Sequence, residues 1–346
     1  MSKAIAITIG DPAGIGPEII AKAYQAAPEL TRGCFVVGDL ATLRRAAQLV
    51  SAGGMALPVA TIETPAEALE TPPRCLPLLQ VGAPAPPAAF GRLDAAAGRL
   101  AAQSVVWAAQ AALRGDIAAL VTAPLNKEAL ALAGAPYSGF PGHTELLQAQ
   151  AAAHAGQSLA AMPVRMMLAN DDLRVVLVSI HVSLREAIDA VTPANVLQTL
   201  LITHQSLGAI LGRAPRIAVA GLNPHAGEGG LFGREEIDII APAMAQARAG
   251  GLQVSGPFAP DTVFMKARAR SGQAGEFDVV VAMYHDQGLI PVKYLGLEQG
   301  VNVTLGLPLV RTSPDHGTAF DIAGTGQADP ASLLAAIRMA RQLSKI

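Results

Sequence analysis

Short apolar runs alternate along the chain with longer segments in which apolar residues recur every three or four positions. The first unit shows the pattern clearly: Ala4–Ile9 is rich in β-branched residues, a glycine loop spans 10–17, and Glu18–Ala27 has helical spacing. Such alternation predicts an α/β fold with a largely parallel sheet. The other strands predicted in this way are Phe35–Val37, Ala118–Val121, Arg165–Ala169, Arg174–Ser179, Arg216–Ala220 and Val279–Met283. The other predicted helices are Ala41–Val50, Leu93–Arg114, Asn126–Ala133, Glu145–Ala153, Ala194–Leu211, Glu235–Ala249 and Pro330–Leu343.

Length and composition narrow the class of protein. The 346 residues suffice for two domains, and no segment has the character of a linker. The net charge is −2 and no basic run reaches five residues, which argues against a nucleic-acid partner. We find neither a membrane span nor a signal peptide, since the N-terminal apolar run ends in Gly10-Asp11-Pro12. Cys34 and Cys75 have no metal or redox spacing, so we expect a cytoplasmic protein.

Three of the seven histidines share one local context. His181, His225 and His285 each follow a predicted strand directly or by a short turn. Ligands of open α/β sheets bind beyond the carboxyl ends of the strands, and imidazoles bind divalent cations well. These three residues are therefore candidate ligands of one metal ion. The alternative interpretation is three unrelated surface or capping histidines.

Two aspartates are candidate partners of such a site. Asp261 and Asp286 could act as a general base, or accept a hydrogen bond from a metal-bound imidazole. The alternatives are that Asp286 begins a turn and that Asp261 caps a helix.

A second group of residues suits an anion. Gly142-His143-Thr144-Glu145 opens a predicted helix, and the N-terminus of a helix attracts phosphate or carboxylate. An ordinary capping box with Thr144 as the cap is the alternative. Lys293, Asn302 and Arg311 could add further hydrogen-bond donors, although each alone is more typical of a solvated surface.

Glycine-rich segments mark a candidate cofactor site. The loop from Gly10 to Gly16 has the spacing G-x-x-x-G-x-G, which is not the Rossmann fingerprint. Residues 315–326 form a second glycine-rich stretch before the last helix.

Together these segments identify a resemblance that covers nearly the whole chain, from Ile5 to the last helix. The chain closely resembles the 4-hydroxythreonine-4-phosphate dehydrogenase family. The motifs that carry the resemblance are GDPAGIGPE (10–18), PGHTE (141–145), GLNPHAGEGG (221–230), PDT (260–262), MYHDQG (283–288) and VNVTLGLPLVRTSPDHGTAFDIAG (301–324).

The resemblance implies a function and a fold. His181, His225 and His285 match divalent metal ligands that come from both subunits of a homodimer, and the substrate contacts match at His143, Thr144, Lys293, Asn302 and Arg311. The implied fold is that of the two-domain isocitrate and isopropylmalate dehydrogenases, with the active-site cleft between the domains. We place the first domain at 1–125 plus 303–346 and the second, with the metal ligands and the dimer interface, at 126–302. The metal could be zinc, cobalt, magnesium or manganese, and three imidazoles favour zinc or cobalt.

The implied reaction is oxidation of 4-phosphohydroxy-L-threonine at its secondary alcohol, followed by decarboxylation to 3-amino-2-oxopropyl phosphate. We place NAD or NADP against two glycine-rich loops, because a backbone without side chains can approach a pyrophosphate closely. An acidic residue near the ribose would disfavour a 2′-phosphate, so NAD is favoured. The residues expected to contact the cofactor are Gly14, Gly16, His316, Asp321 and Asp329.

Two departures from the family pattern leave the substrate open. Residues 154–163 are longer than the usual connection, and Ser179-Ile180-His181-Val182-Ser183 replaces Thr-Thr-His-Leu-Pro. Paralogous dehydrogenases act on 4-phospho-threonate or -erythronate, or on an aromatic cis-dihydrodiol dicarboxylate. A phosphate-transferring acyltransferase and a non-catalytic solute-binding protein are the alternatives from other classes; the three histidines argue against the first, and the lack of a signal peptide against the second.

Overall fold

The computed structural model describes residues 3–51, 53–269, 273–296 and 299–345. Its strands are β1 Ile5–Thr8, β2 Cys34–Gly38, β3 Val59–Thr61, β4 Leu76–Gln80, β5 Ala119–Thr122, β6 Arg165–Ala169, β7 Arg174–Leu177, β8 Ile217–Ala220, β9 Val254–Phe258, β10 Val279–Ala282, β11 Val301–Leu305 and β12 Arg311–Pro314. Its α-helices are α1 Gly16–Ala26, α2 Pro28–Thr31, α3 Leu40–Val50, α4 Ala95–Arg114, α5 Lys127–Leu132, α6 His143–Ala155, α7 Leu184–Ala190, α8 Pro193–Leu211, α9 Ala241–Ala249, α10 Val263–Ala267, α11 His285–Tyr294 and α12 Ala331–Ser344. Short 3₁₀ segments occur at Pro65–Leu69, Leu159–Ala161 and Pro224–Gly230, and a π-helical turn at Glu236–Ile240.

The chain divides into two compact units, Met1–Met162 with Leu307–Ile346 and Pro163–Gly306. The boundaries predicted from the sequence differ, because they assigned 126–162 to the second domain. In the structure α5 and α6 in this stretch pack on α4 of the first unit. The contact is close: a Cβ at Gly98 would lie 2.0 Å from the Ala129 carbonyl oxygen.

The first unit contains a parallel sheet with the strand order β3-β4-β2-β1-β5-β12. Every residue of β1 and β5 is buried, as expected for strands covered on both faces. Alanines on one face of α4 allow this helix to pack closely on the sheet, and Asp94 begins the helix by accepting hydrogen bonds from the Ala96 and Ala97 amides. The predicted largely parallel sheet is confirmed for this unit.

The second unit contains a mixed sheet with the strand order β11-β6-β7-β10-β8-β9. β6 pairs antiparallel with both β11 and β7, and the remaining pairs are parallel. The strand pair predicted at 165–169 and 174–179 is thus confirmed, although β7 ends at Leu177. The carboxyl ends of β8 and β10 lead into the segments that carry His225 and His285, respectively.

Several elements of this unit, including α7, β9, α10 and β11, were not predicted from the sequence, and two further features differ from the prediction. The helix predicted at 235–249 begins as the π-helical turn Glu236–Ile240 before α9 continues it. The segment after β10 is the helix α11, which begins at His285 itself and tolerates an internal proline, Pro291. Within the described residues, no helix combines the length and the apolar character needed to cross a membrane.

Candidate active site

Two of the three predicted metal ligands are neighbours. The ring centroids of His181 and His285 lie 5.5 Å apart. His285 is the first residue of α11, and its Nδ1 lies 2.8 Å from Oδ1 of Asp286. A carboxylate that accepts from one ring nitrogen leaves the other nitrogen as a ligand atom, which is the usual arrangement of a metal-bound histidine.

His225 lies on a different loop. Its ring faces Phe232, with centroids 6.0 Å apart. In the part of the chain that the structure describes, no three His, Cys, Asp or Glu side chains form a group that could hold a metal ion by themselves. One chain alone therefore brings together a pair of the predicted ligands and not the full set.

A cavity of about 650 Å³ in the second unit contains both candidate carboxylates. His225, Asp261 and Asp286 line it together with apolar side chains that include Phe264 and Ile290. Asp261 does not cap α10, because the residue before that helix is Thr262 and its N-terminus has no side-chain cap. Asp261 is exposed in the cavity wall, where it is available to a bound molecule.

The predicted anion pocket of the first unit is built around the N-terminus of α6. The helix begins at His143, two residues earlier than predicted, so Thr144 lies in its first turn and not at the cap. Gly142 precedes it, with no side chain to cap the helix. The amides of the first turn and the helix dipole therefore favour an anion here.

Buried polar atoms strengthen this assignment. Nε2 of His143 is buried and has no hydrogen-bond partner among the described residues. Arg311 is 4% exposed and donates from Nε and Nη2 to the Thr122 hydroxyl, at 3.1 and 2.7 Å. A buried ring nitrogen without a partner among the described residues is costly, and an anion bound here would provide one.

The electrostatics of the pocket are those of an anion site. Burial, and then the charges of Arg311 and Lys127, hold the pKa of His143 well below its ordinary value, so the imidazole is neutral near pH 7. Burial lowers the pKa of Arg311 to about 10, opposed by the charge of Glu145, and the guanidinium stays protonated. The pocket thus contains a neutral donor or acceptor beside a permanent cation.

Sequence reasoning missed one cation of this pocket. Lys127 begins α5, is exposed, and lies close to the start of α6, since its Cε is 3.7 Å from the position of a Cβ on Gly142. Its only sequence signal was its place after Asn126, which caps α5 by accepting from the Glu128 and Ala129 amides. Sequence reasoning also missed Thr122, whose hydroxyl accepts from Arg311, because the two residues are far apart in the chain.

The other two predicted substrate contacts belong to the second unit. Lys293 is half-buried in the last turn of α11. Asn302 is half-buried on β11, opposite Leu168 of β6.

The predicted cofactor residues all lie in the first unit, on two loops. Gly14 and Gly16 are buried, and their small size has a local cause: a Cβ on Gly14 would lie 2.9 Å from Thr318, and one on Gly16 would lie 2.6 Å from the Ile9 carbonyl oxygen. These two glycines are therefore required by packing, whatever else they contact.

The second cofactor loop is more open. A Cβ on Gly317 or Gly326 would meet nothing within 4 Å. His316 and Asp321 are exposed, with Nδ1 of His316 3.0 Å from the Gly317 carbonyl oxygen. Asp329 accepts at 2.8 Å from the amide of Ala331, the first residue of α12.

Several known proteins are similar to this chain over nearly its full length. The sequence model of the family described as pyridoxal phosphate biosynthetic protein PdxA matches residues 31–340. A 4-hydroxythreonine-4-phosphate dehydrogenase of Beijerinckia indica is 51% identical over 98% of this chain and 94% of its own length. A D-threonate 4-phosphate dehydrogenase of Salmonella typhimurium is 46% identical over 99% of both chains. The crystal structure of a 4-hydroxythreonine-4-phosphate dehydrogenase from Klebsiella pneumoniae is 43% identical, with a TM-score of 0.87 over 99% of this chain and all of that one.

Proposed function

Because the chain belongs to the PdxA family of pyridoxal phosphate biosynthetic proteins, and the relatives compared with it above are dehydrogenases, we propose that it oxidises 4-phosphohydroxy-L-threonine at the secondary alcohol. The proposed electron acceptor is NAD⁺ in preference to NADP⁺, and the product after loss of carbon dioxide is 3-amino-2-oxopropyl phosphate. The observation that supports the proposal is the anion pocket at the start of α6, where Nε2 of His143 has no partner among the described residues and the buried Arg311 is close enough to interact with the imidazole.

The phosphate end of the substrate is proposed to bind at this pocket. The first-turn amides of α6, the Thr144 hydroxyl and the His143 imidazole would donate to phosphate oxygens, while Arg311 would neutralise charge. Lys293 and Asn302 are proposed to contact the same substrate, as the family pattern implies. Charge-assisted hydrogen bonds of this kind contribute about 1.5–3 kcal/mol each.

A divalent cation is proposed to bind His181, His225 and His285. The donor chemistry fits: the adjacent imidazoles of His181 and His285 suit zinc or cobalt better than magnesium or manganese, and Asp286 fixes the ring of His285. When bound, such an ion lowers the pKa of the substrate alcohol and stabilises negative charge on its oxygen.

The reaction then requires two transfers from the substrate. A base takes the hydroxyl proton, and the hydride on the same carbon passes to the nicotinamide, leaving a β-keto acid that loses carbon dioxide. Asp261 and Asp286 are the proposed bases, because both line the cavity that also contains His225.

The cofactor is proposed to lie against the loops at Gly14–Gly16 and His316–Asp329. The open space at Gly317 and Gly326 and the exposed carboxylate of Asp321 support this placement. An acidic side chain near the ribose favours NAD over NADP.

The active enzyme is proposed to be a homodimer that shares its metal site between subunits. One chain supplies an adjacent pair of the proposed ligands, and its second unit exposes large apolar side chains at Leu184, Leu231, Ile290 and Tyr294. Large apolar side chains that a single chain leaves exposed are candidates for burial in a subunit interface.

A second candidate substrate is D-threonate 4-phosphate. A dehydrogenase named for it is 46% identical to this chain over nearly its full length, close to the value for the first candidate. The two substrates share the phosphate and the secondary alcohol, so the anion pocket does not distinguish them. The cis-dihydrodiol dicarboxylates fit less well, because they have no phosphate.

The proposal is tested by removing and restoring the cation. Protein treated with a chelator and then dialysed should not reduce NAD⁺ in the presence of 4-phosphohydroxy-L-threonine, and Zn²⁺ or Co²⁺ should restore both NADH and carbon dioxide formation in equal amounts. Full activity of the metal-free protein would contradict the metal assignment. NADH without carbon dioxide would contradict the decarboxylation step.

A further inference from the structure

The loop that carries His225 has an unusual backbone. Six consecutive residues, His225 to Gly230, have positive φ, from 43° at Glu228 to 100° at Gly230. Three of them, His225, Ala226 and Glu228, are not glycine and pay a steric penalty for this left-handed conformation. A backbone of this kind persists only where surrounding contacts hold it.

The carboxylate of Glu236 contacts this loop and the two residues that lead into it. Its Oε1 accepts from the backbone amides of Leu222 and Asn223, at 2.7 and 2.8 Å, and its Oε2 accepts from Asn223 Nδ2 at 3.0 Å. The same Oε2 would lie 2.7 Å from a Cβ on Gly227, so the left-handed turn closes directly against it. Glu236 is 3% exposed, and a carboxylate so deeply buried needs all of these donors.

Glu236 itself is attached to a rigid element. It begins the π-helical turn Glu236–Ile240, which runs into α9, and Ile240 and Met244 are fully buried behind it. A π-turn inserts an extra residue into a helix and often occurs at functional sites. The π-helical turn and the buried residues that follow it thus hold the Glu236 carboxylate against the loop that carries His225.

A second side chain joins this loop to the one that carries His285. Gln287, in the first turn of α11, accepts from the Met283 amide at 2.7 Å and donates to the Gly221 carbonyl oxygen at 2.8 Å. A Cβ on Gly221 would lie 3.0 Å from Glu236 Oε1, so Gly221 contacts both side chains. Gln287 therefore joins the loop after β8 to the segment after β10. Glu236 joins the same loop after β8 to the helical turn that leads into α9.

We propose that Glu236 is the positioning residue of His225 in the metal site: it fixes residues 222 and 223, which lead into the left-handed turn 225–230, and packs against Gly227, while Gln287 fixes Gly221 at the start of the same loop. Glu236 acts on the metal only through His225, and the proposal rests on the proposed metal-dependent function. Hydrogen bonds that orient a ligand typically change metal affinity by about 10–100-fold.

The test compares Co²⁺ binding by the purified, metal-free full-length protein and its variants, followed by calorimetry and by the visible absorption of Co²⁺. In Glu236→Gln the amide keeps one acceptor but turns a donor toward Asn223 Nδ2, so the Kd for Co²⁺ should rise at least about tenfold. Glu236→Asp keeps the charge but shortens the side chain by one methylene, so its Kd for Co²⁺ should lie between those of the wild type and Glu236→Gln. The matched control is Asp238→Asn, on the same π-helical turn, where the carboxylate is exposed and pairs with Arg234; its Kd should stay within about twofold.

A second measurement separates positioning from general stability. If Glu236 acts by positioning, activity at saturating Co²⁺ should stay reduced in Glu236→Gln, while circular dichroism matches the wild type. Gln287→Met, which removes the hydrogen bond to Gly221 that joins the two loops, should also raise the Kd, and it provides the test if Glu236→Gln fails to fold.

The outcomes are distinguishable. Unchanged Co²⁺ affinity in folded Glu236→Gln, or in Gln287→Met where that variant provides the test, overturns the positioning role and leaves the metal site intact. Absence of Co²⁺ binding by the wild type overturns the proposed metal site, and the positioning role with it.

Discussion

Replacing Asp11 with asparagine should change how the stability of the protein depends on pH. Asp11 is 1% exposed; one carboxylate oxygen accepts from the Ala13 amide at 2.8 Å, and the other has no partner among the described residues. Burial raises the pKa of Asp11 from 3.8 to about 6, against the hydrogen bond from Ala13 and with help from the negative charge of Asp94.

The direction in which the free energy of unfolding changes with pH depends on which state, folded or unfolded, keeps the Asp11 proton. Between pH 3.8 and about 6 the folded protein retains a proton on Asp11 that the unfolded chain has lost. The stability that this group contributes is therefore fully present below pH 3.8 and is lost as the pH rises through about 6. The interval of about 2 pKa units corresponds to roughly 3 kcal/mol.

Asparagine is isosteric, keeps an acceptor for the Ala13 amide and does not titrate. The free energy of unfolding of Asp11→Asn, relative to wild type, should therefore rise by roughly 3 kcal/mol from pH 3.5 to pH 7.5. Equilibrium urea unfolding across this range measures it. Asp116→Asn, where the aspartate is largely exposed beside Arg114, controls for loss of a surface carboxylate. A difference between Asp11→Asn and wild type that does not vary with pH would refute the reasoning.

Three further results are expected. Lys127→Met should raise the KM for the phosphorylated substrate about tenfold with a smaller change in kcat, because one charge contact worth about 1.5 kcal/mol or more is lost; an unchanged KM would remove Lys127 from the pocket, and Lys127→Arg should largely restore it. Mixing inactive His181→Ala and His225→Ala subunits should regenerate activity in hybrid dimers, whereas verified hybrids without activity would refute the shared site. Asp321→Ala should lower the ratio of kcat/KM for NAD⁺ to that for NADP⁺, and a wild type that prefers NADP⁺ would contradict the acidic-ribose argument.

The sequence predicted the fold well where the information is local. The spacing of apolar residues located β1, α3 and α4 to within two residues. In the structure Asp39 and Asp94 cap the two helices, which fixes their starts. The domain boundary was harder to predict, because the packing of α5 on α4 depends on the approach of Gly98 to Ala129, two residues far apart in the chain.

The sequence indicated candidate residue types for the site and less of its geometry. Strand ends and a helix start predicted at Glu145, two residues after the observed start at His143, singled out the candidate segments, and the resemblance to a known family supplied the proposed roles. The left-handed turn at His225 was not foreseeable, because non-glycine residues in that conformation give no local signal. Its support, Glu236, appears in the sequence as an ordinary acidic residue of a helix.

The most direct test of the account is a comparison of kcat/KM for the wild-type enzyme on 4-phosphohydroxy-L-threonine, 4-phospho-D-threonate and a cis-dihydrodiol dicarboxylate, with NAD⁺ and added Co²⁺ in every assay. The account predicts that 4-phosphohydroxy-L-threonine gives the highest value, that 4-phospho-D-threonate is the nearer competitor, and that the compound without a phosphate is poorest. The account would be contradicted if the dicarboxylate proved the best substrate, or if none of the three supported NADH formation.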